Sequence, residues 1–172
     1  MHMPKPPAGD QMPVIKLPLL TGGAVTIGGM RDKHLLFMIY RGKHCPRCKR
    51  YLNGLQERLD AWLDADIDVI VASADPAEKA QADKDEFGWS FDLAYDLSED
   101  QMRKIGVYIT DPLSPQETDR RFAEPAVFCL RPDGVIQIVC LSNGPAARPD
   151  LDELLDGMKF NIANNRPARG MV

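Results

Sequence analysis

The period of apolar positions changes several times along the chain, and each change predicts an element. "HLLFMIY" (34–40) is apolar without alternation, which predicts a strand covered on both faces. Beyond Cys45 the spacing becomes helical: Tyr51, Leu52, Leu55, Leu59, Trp62 and Leu63 recur to about Asp64. Pro46 suits the first helical position, where its missing N–H costs nothing, and Gly54 weakens this helix without ending it. "IDVIVAS" (67–73) predicts the next buried strand. Asp75-Pro76 followed by Glu78 predicts a capped helix start running to about Phe87, "SFDLAYD" (90–96) a short strand, and Ser98 to Gly106 a brief capped helix.

Ahead of these, "KLPLLTGGAVTIGGM" (16–30) predicts a hairpin about Thr21-Gly22-Gly23. Behind them, "YITDPLSPQETDRRF" (108–122) has prolines and no period and reads as a loop. "PAVFCLRPDGVIQIVCL" (125–141) reads as two strands turning at Pro132-Asp133-Gly134, and Leu151, Leu154, Leu155, Met158 and Ile162 mark a closing amphipathic helix. The order predicts an α/β sheet of mixed direction with helices on both faces. No repeat or linker interrupts it, so 172 residues are expected to form a single domain, with residues 1–12 and 165–172 as flexible arms.

Composition narrows the function. Hydrophobic residues at 44% and charged residues at 27% are ordinary for a globular chain. The net charge of −4, with both signs intermixed, offers no basic surface for a phosphate backbone, so nucleic acid is not expected as a partner. Prolines and charges break up the first twenty residues, and the longest apolar run is strand-sized, so neither a signal peptide nor a membrane span is expected. A cytoplasmic location follows as the default. Four cysteines in such a chain are more readily chemical than structural.

"YRGKHCPRCKRYL" (40–52) holds two of them, Cys45 and Cys48, at a strand-to-helix junction. A sulfur just before the first helical turn faces unpaired N–H groups and the positive end of the helix dipole, and both favour thiolate. Lys43, His44, Arg47, Lys49 and Arg50 add positive charge. Cys45 is therefore the expected attacking or oxidised sulfur, and Cys48, one turn in, the sulfur that closes the disulfide. Two bland readings compete: a pair of packed thiols, or a metal clamp. Zinc wants four ligands and this chain has one pair; Cys129 and Cys140, inside predicted strands, read as core. No metal and no cofactor is expected. His44 either tunes Cys45 or caps the strand end; Arg41 either guides an anionic or peroxide substrate or is simply solvated. Pro125, opening a strand after a loop, is a candidate cis proline.

In this order the chain resembles the thioredoxin superfamily, and more closely the peroxiredoxin-like branch of the alkyl hydroperoxide reductase and thiol-specific antioxidant family. The resemblance spans about residues 8 to 160. It is carried by "PAGDQMPVIKLPLLTGGAVTIGGMRDKHLLFMIYRGKHCPRC", by "IDVIVASADPAEKAQADKDEFGWSFDLAYDLSEDQMRKIGV" with its Ser73-x-Asp75 strand end, and by "PAVFCLRPDGVIQ". It implies a thioredoxin-like fold, a central mixed sheet flanked by helices with an N-terminal β-hairpin extension. It also implies Cys45 as peroxidatic cysteine or N-terminal nucleophile of a dithiol, Cys48 as resolving thiol, and Pro125 as a cis proline facing them. Family members usually carry proline seven and threonine or serine three residues before the peroxidatic cysteine; Met38 and Gly42 stand there. The family's second-site arginine aligns with Pro125, leaving Arg41, or Arg120 and Arg121, as replacement cations.

The implied function is a thiol-dependent antioxidant oxidoreductase reducing hydroperoxides through a Cys45/Cys48 cycle, restored by a thioredoxin- or glutathione-type reductant. A homodimer is compatible with it. Two alternatives stand beside it: a protein disulfide reductase without peroxidase activity, and a redox-sensing or binding module working through the 108–124 loop or the C-terminal tail.

Overall fold

The computed structural model describes residues 8–172. The glycine-turned hairpin forms from β1 (Ile15–Pro18) and β2 (Ala24–Ile27), paired antiparallel. The apolar run becomes β3 (His34–Ile39), followed by helix α1 (Pro46–Asp64) and strand β4 (Ile67–Ala72). Helix α2 (Ala77–Phe87), strand β5 (Asp92–Ala94) and helix α3 (Glu99–Ile105) come next. Two short strands, β6 (Ile109–Thr110) and β7 (Phe122–Ala123), bracket a loop; β8 (Ala126–Leu130), β9 (Ile136–Leu141) and helix α4 (Leu151–Ala163) complete the chain.

The central sheet has the order β5-β4-β3-β8-β9. β3, β4 and β5 run parallel, and β8 and β9 antiparallel to their neighbours. This is the expected α/β architecture of a mixed sheet with an N-terminal hairpin. The unbroken apolar runs have the predicted cause: Leu36 and Met38 enter the core beneath α1 and α4, while Leu35, Phe37 and Ile39 enter the core shared with the hairpin and α3. On α1 the buried stripe is Cys48, Leu52, Leu55, Leu59 and Trp62. Leu63, expected on that stripe, is exposed, being one residue and about 100° round the helix from Trp62. Ser98 caps the start of α3 and Gly106 closes it in the left-handed region, as the sequence predicts; the structure adds Gln101, whose side chain accepts back from Ser98 N–H.

Three expectations are corrected. The 108–122 stretch is not wholly loop, since Ile109 pairs with Ala123 and Thr110 with Phe122; a two-residue ribbon is too short to show a period. Asp75 does not cap α2, whose N-cap is Pro76 without a side-chain bond; its carboxylate turns the other way. The arms are shorter than predicted. Residues 1–7 lie outside the described residues, but Gly9 N–H donates to Ile136 O, Ile136 N–H to Asp10 O and Met12 N–H to Gly134 O, and Met12 is buried. At the other end Gln137 Nε2 donates to Arg166 O and Ala168 is buried. Backbone groups in both segments find partners on the β8–β9 hairpin, which their polar sequence could not reveal. Among the described residues no helix is long and apolar enough to cross a membrane.

Candidate functional site

β3 delivers the chain to the site and α1 carries it away. Tyr40 N–H donates to Ala72 O, extending the β3–β4 ladder by one residue, and Cys45 N–H donates back to Gly42 O to close a tight loop. Cys45 is extended (φ −113°) and is the N-cap of α1: its Sγ accepts from Cys48 N–H at 3.3 Å, and Pro46 follows in the first turn. The two cysteines are joined as a disulfide with their Cα atoms 5.3 Å apart. The N-cap position and the separation of one turn bring both sulfurs together, as the spacing predicts. Cys45 retains 3% exposure and Cys48 none. Pro46 and Arg47 are exposed between them.

Beneath this loop lies a carboxylate that sequence patterning read as a helix cap. Asp75 is buried, and its Oδ2 accepts Lys43 N–H at 2.7 Å. Burial pushes its pKa up, against the opposing pull of the Lys43 N–H. Gly42 lies directly above it with φ +132°, and a Cβ on Gly42 would stand 2.8 Å from both Asp75 oxygens. Position 42 therefore has neither the backbone conformation nor the space for a hydroxyl-bearing side chain. Deeper still, Tyr40 Oη donates to Asp83 Oδ2 at 3.3 Å. Asp83 is fully buried on α2, and its pKa is pushed up to about 6, chiefly by burial, with Lys49 opposing and Asp75 adding to the rise. An aspartate in the middle of a polar-looking helix carried no sequence signal of this role.

Arg41 is not a solvated arginine. Its Nη2 donates to Glu124 Oε1 at 3.1 Å, its Nε lies 3.0 Å from Oε2, and its guanidinium sits 4.9 Å from the centre of the Phe122 ring. Glu124 is buried and also accepts Thr110 Oγ1 at 2.7 Å. The β6–β7 ribbon and the residue after it thus supply the anion and the aromatic face that hold Arg41, and Thr110 on β6 steadies that anion. His44 packs edge-on against the same Phe122, ring centres 4.6 Å apart, with Nε2 3.9 Å from Glu117 Oε1. Burial lowers its pKa, overcoming the pull of Asp75 and Glu117, so the imidazole is neutral near pH 7 and brings no cation to Cys45 at that pH.

The remaining sequence candidates divide. Pro125 is buried one step before the Ala126–Ile39 pair, close to where β3 enters the site loop. Its peptide bond is trans, not cis; β7 and β8 are separated by two residues without a tight turn between them, and an extended path needs no cis bond. Arg120 bonds Ala74 O and pairs with Asp96 and Asp119. Arg121 is held by Asp111 and Glu99. Cys129 is fully buried in β8 and Cys140 half-buried in β9; burial pushes both thiols up, as befits core residues.

Residues 8–139 match the sequence profile of the AhpC/TSA family. No curated protein matches the chain significantly. Among solved structures, a peroxiredoxin-like protein from Aquifex aeolicus superposes with a TM-score of 0.71 at 20% identity, over 89% of this chain and 86% of that one. A 2-Cys peroxiredoxin from Plasmodium vivax gives 0.74 at 17% identity, over 94% and 86%. A thiol peroxidase from Chromobacterium violaceum gives 0.71 at 17%, over 95% and 89%. At these identities the structural likeness bears on fold alone.

Proposed function

The chain belongs to the AhpC/TSA family, a family of thiol peroxidases, and from that premise we propose that it reduces hydroperoxides through a Cys45/Cys48 dithiol–disulfide cycle. The carrying observation is the bond between an N-capping Cys45 and a Cys48 one turn into α1. In the reduced protein the Cys45 thiolate attacks the terminal peroxide oxygen. The O–O bond breaks, the alkoxide leaves and takes a proton from solvent, and Cys45 becomes a sulfenic acid. Cys48 then attacks Cys45 Sγ; the S–O bond breaks, water leaves, and the disulfide forms. An external dithiol, or two monothiols of the thioredoxin or glutathione type, returns two electrons and two protons.

A second reading is favoured by a specific feature. Position 42 is closed by Asp75, and Arg41 is engaged by Glu124. Neither offers a free group to hold a peroxide, which suits a dithiol that exchanges directly with disulfide substrates through a mixed disulfide at Cys45. Rapid mixing of the reduced protein with hydrogen peroxide separates the two. A rate constant well above that of free cysteine supports the peroxidase cycle. A rate no better than free cysteine, together with turnover of a disulfide substrate, replaces it with the exchange reading.

A further inference from the structure

Alongside α1, the residues leading into α4 close a groove of about 480 Å³, within the size range of small-molecule sites. Neither Cys45 nor Cys48 lines it, which sets it apart from the dithiol. Its charged walls are Arg47, Arg50, Arg58 and Arg148 against one acid, Asp150, in a chain whose net charge is −4. Arg58 is already held by Asp152 at 2.6 Å. Among the described residues Arg47, Arg50 and Arg148 have no ion-pair partner. With Asp150 set against one of them, two positive charges are left over.

Charged side chains that leave the surface ordinarily bring a partner, because an uncompensated charge is costly to desolvate. Arg148 is half-buried and brings none. Its Nε and Nη2 both donate to Pro145 O, at 3.2 and 2.7 Å, and its guanidinium lies 4.5 Å from the centre of the Tyr51 ring. That ring is itself fixed, since Tyr51 Oη donates to Pro149 O at 2.5 Å. Burial pushes the Arg148 pKa down, and the opposing pulls of Tyr51 and Glu124 do not overcome it. The fold therefore holds a cation rigidly at the groove wall without neutralising it, which is the arrangement of a preorganised anion site. Gly54, on the floor, has no packing reason to be glycine: a Cβ there would meet only Arg58 Nη1 at 3.5 Å and Leu151 Cδ1 at 3.8 Å, ordinary contact distances. Glycine inside a helix is destabilising relative to alanine, and what it preserves here is an open floor.

A phosphate monoester matches this balance of charge. Near pH 7 it carries about two negative charges on one group and offers three acceptor oxygens, and guanidinium forks bind phosphate through paired, charge-assisted hydrogen bonds. A single carboxylate would cancel only half of the free charge. We propose that the groove is a binding site for a small phosphate monoester, its phosphate held by Arg148 with Arg47 and Arg50 and its carbon body lying against Gly54, Pro145 and Leu151. The site is separate from the dithiol cycle and stands whether or not peroxide is the oxidant.

Calorimetric titration of the full chain in its disulfide form, in phosphate-free buffer, tests it with phenyl phosphate, inorganic phosphate and succinate, whose two charges sit on separate groups. Phenyl phosphate is expected to bind at a single site per chain, more tightly than inorganic phosphate because its ring uses the groove, and about tenfold or more tighter than succinate. Arg50→Glu and Arg148→Gln should each weaken phenyl phosphate by about tenfold or more. Lys33→Glu, the same charge change ahead of β3, should leave its affinity within about twofold. Gly54→Leu should block the groove without lowering the melting temperature, so that lost binding is not lost fold. Absence of saturable binding overturns the proposal, as does binding that survives in a folded Gly54→Leu. Affinity unmoved by Arg50→Glu and Arg148→Gln, or lowered as much by Lys33→Glu, reports bulk charge alone and also overturns it. Succinate binding as tightly as phenyl phosphate gives the groove to any dianion and overturns the phosphate assignment.

Discussion

The carboxylate of Asp75 fills the space that a side chain on Gly42 would need, with both oxygens 2.8 Å from where its Cβ would stand. The same carboxylate accepts Lys43 N–H at 2.7 Å, so the loop that presents Cys45 is tied to the end of β4 through one buried acid. Loop geometry and the identity of residue 42 are thereby coupled.

Gly42→Thr is expected to be costly. The positive φ and the collision together should remove about 1–3 kcal/mol, a fall in melting temperature of roughly 3–10 °C for a domain of this size. A thermal melt checks it. An unchanged midpoint with faster peroxide reaction would show that the loop accommodates a hydroxyl after all.

Asp83 should make stability depend on pH in an uncommon direction. Its folded pKa is raised from 3.8 to about 6, so the native state holds a proton that the unfolded chain has lost. Its contribution is full below pH 4 and lost as pH rises through about 6, roughly 2–3 kcal/mol in all. Urea titrations at pH 4, 5, 6 and 7 on the parent and Asp83→Asn isolate it: the difference between the two proteins should shift in favour of Asp83→Asn with rising pH. Parallel pH profiles would mean that burial does not raise the Asp83 pKa above its unfolded value.

Glu124 is 3% exposed at its side chain and Arg41 22%. Removing Arg41 alone strands a buried carboxylate, so Arg41→Met should lose about 3 kcal/mol, and Arg41→Met with Glu124→Gln should recover most of it. Chemical denaturation of the double-mutant cycle measures the coupling; additive losses would show that Thr110 and the backbone already satisfy Glu124.

The two cysteines should fail differently. Cys45→Ser should abolish peroxide turnover. Cys48→Ser should still consume one equivalent of peroxide and then stop with a sulfenic acid on Cys45. Intact-mass spectrometry after peroxide treatment distinguishes these products, and the reverse pattern would exchange the roles assigned to the two sulfurs.

Much of this was legible in the chain itself. The apolar run before Cys45, the helical spacing from Leu52 to Trp62 and the proline after Cys45 place the dithiol at a strand-to-helix junction, because local periodicity and the first-turn preference of proline act within a few residues. The cap at Ser98 and the turn at Gly134 are local in the same sense. Asp75 was legible as a residue but not in its role, since a carboxylate before Pro76 has the same signature whether it caps α2 or turns beneath the loop of Cys45.

What sequence alone determined, then, is the order of elements apart from the β6–β7 ribbon, the mixed sheet and the unequal positions of Cys45 and Cys48. Tertiary structure decided which groups surround them. Arg41 meets Glu124 across 83 residues, His44 meets Phe122, and Arg47 and Arg50 share a groove with Arg148. No local period encodes such pairs, because they arise where β3, the β6–β7 ribbon and the approach to α4 are brought to one end of the sheet. A charged side chain in the chain is only a charge. Its burial and its partner, set by the fold, decide whether it anchors a loop, holds a proton or stands open to a ligand.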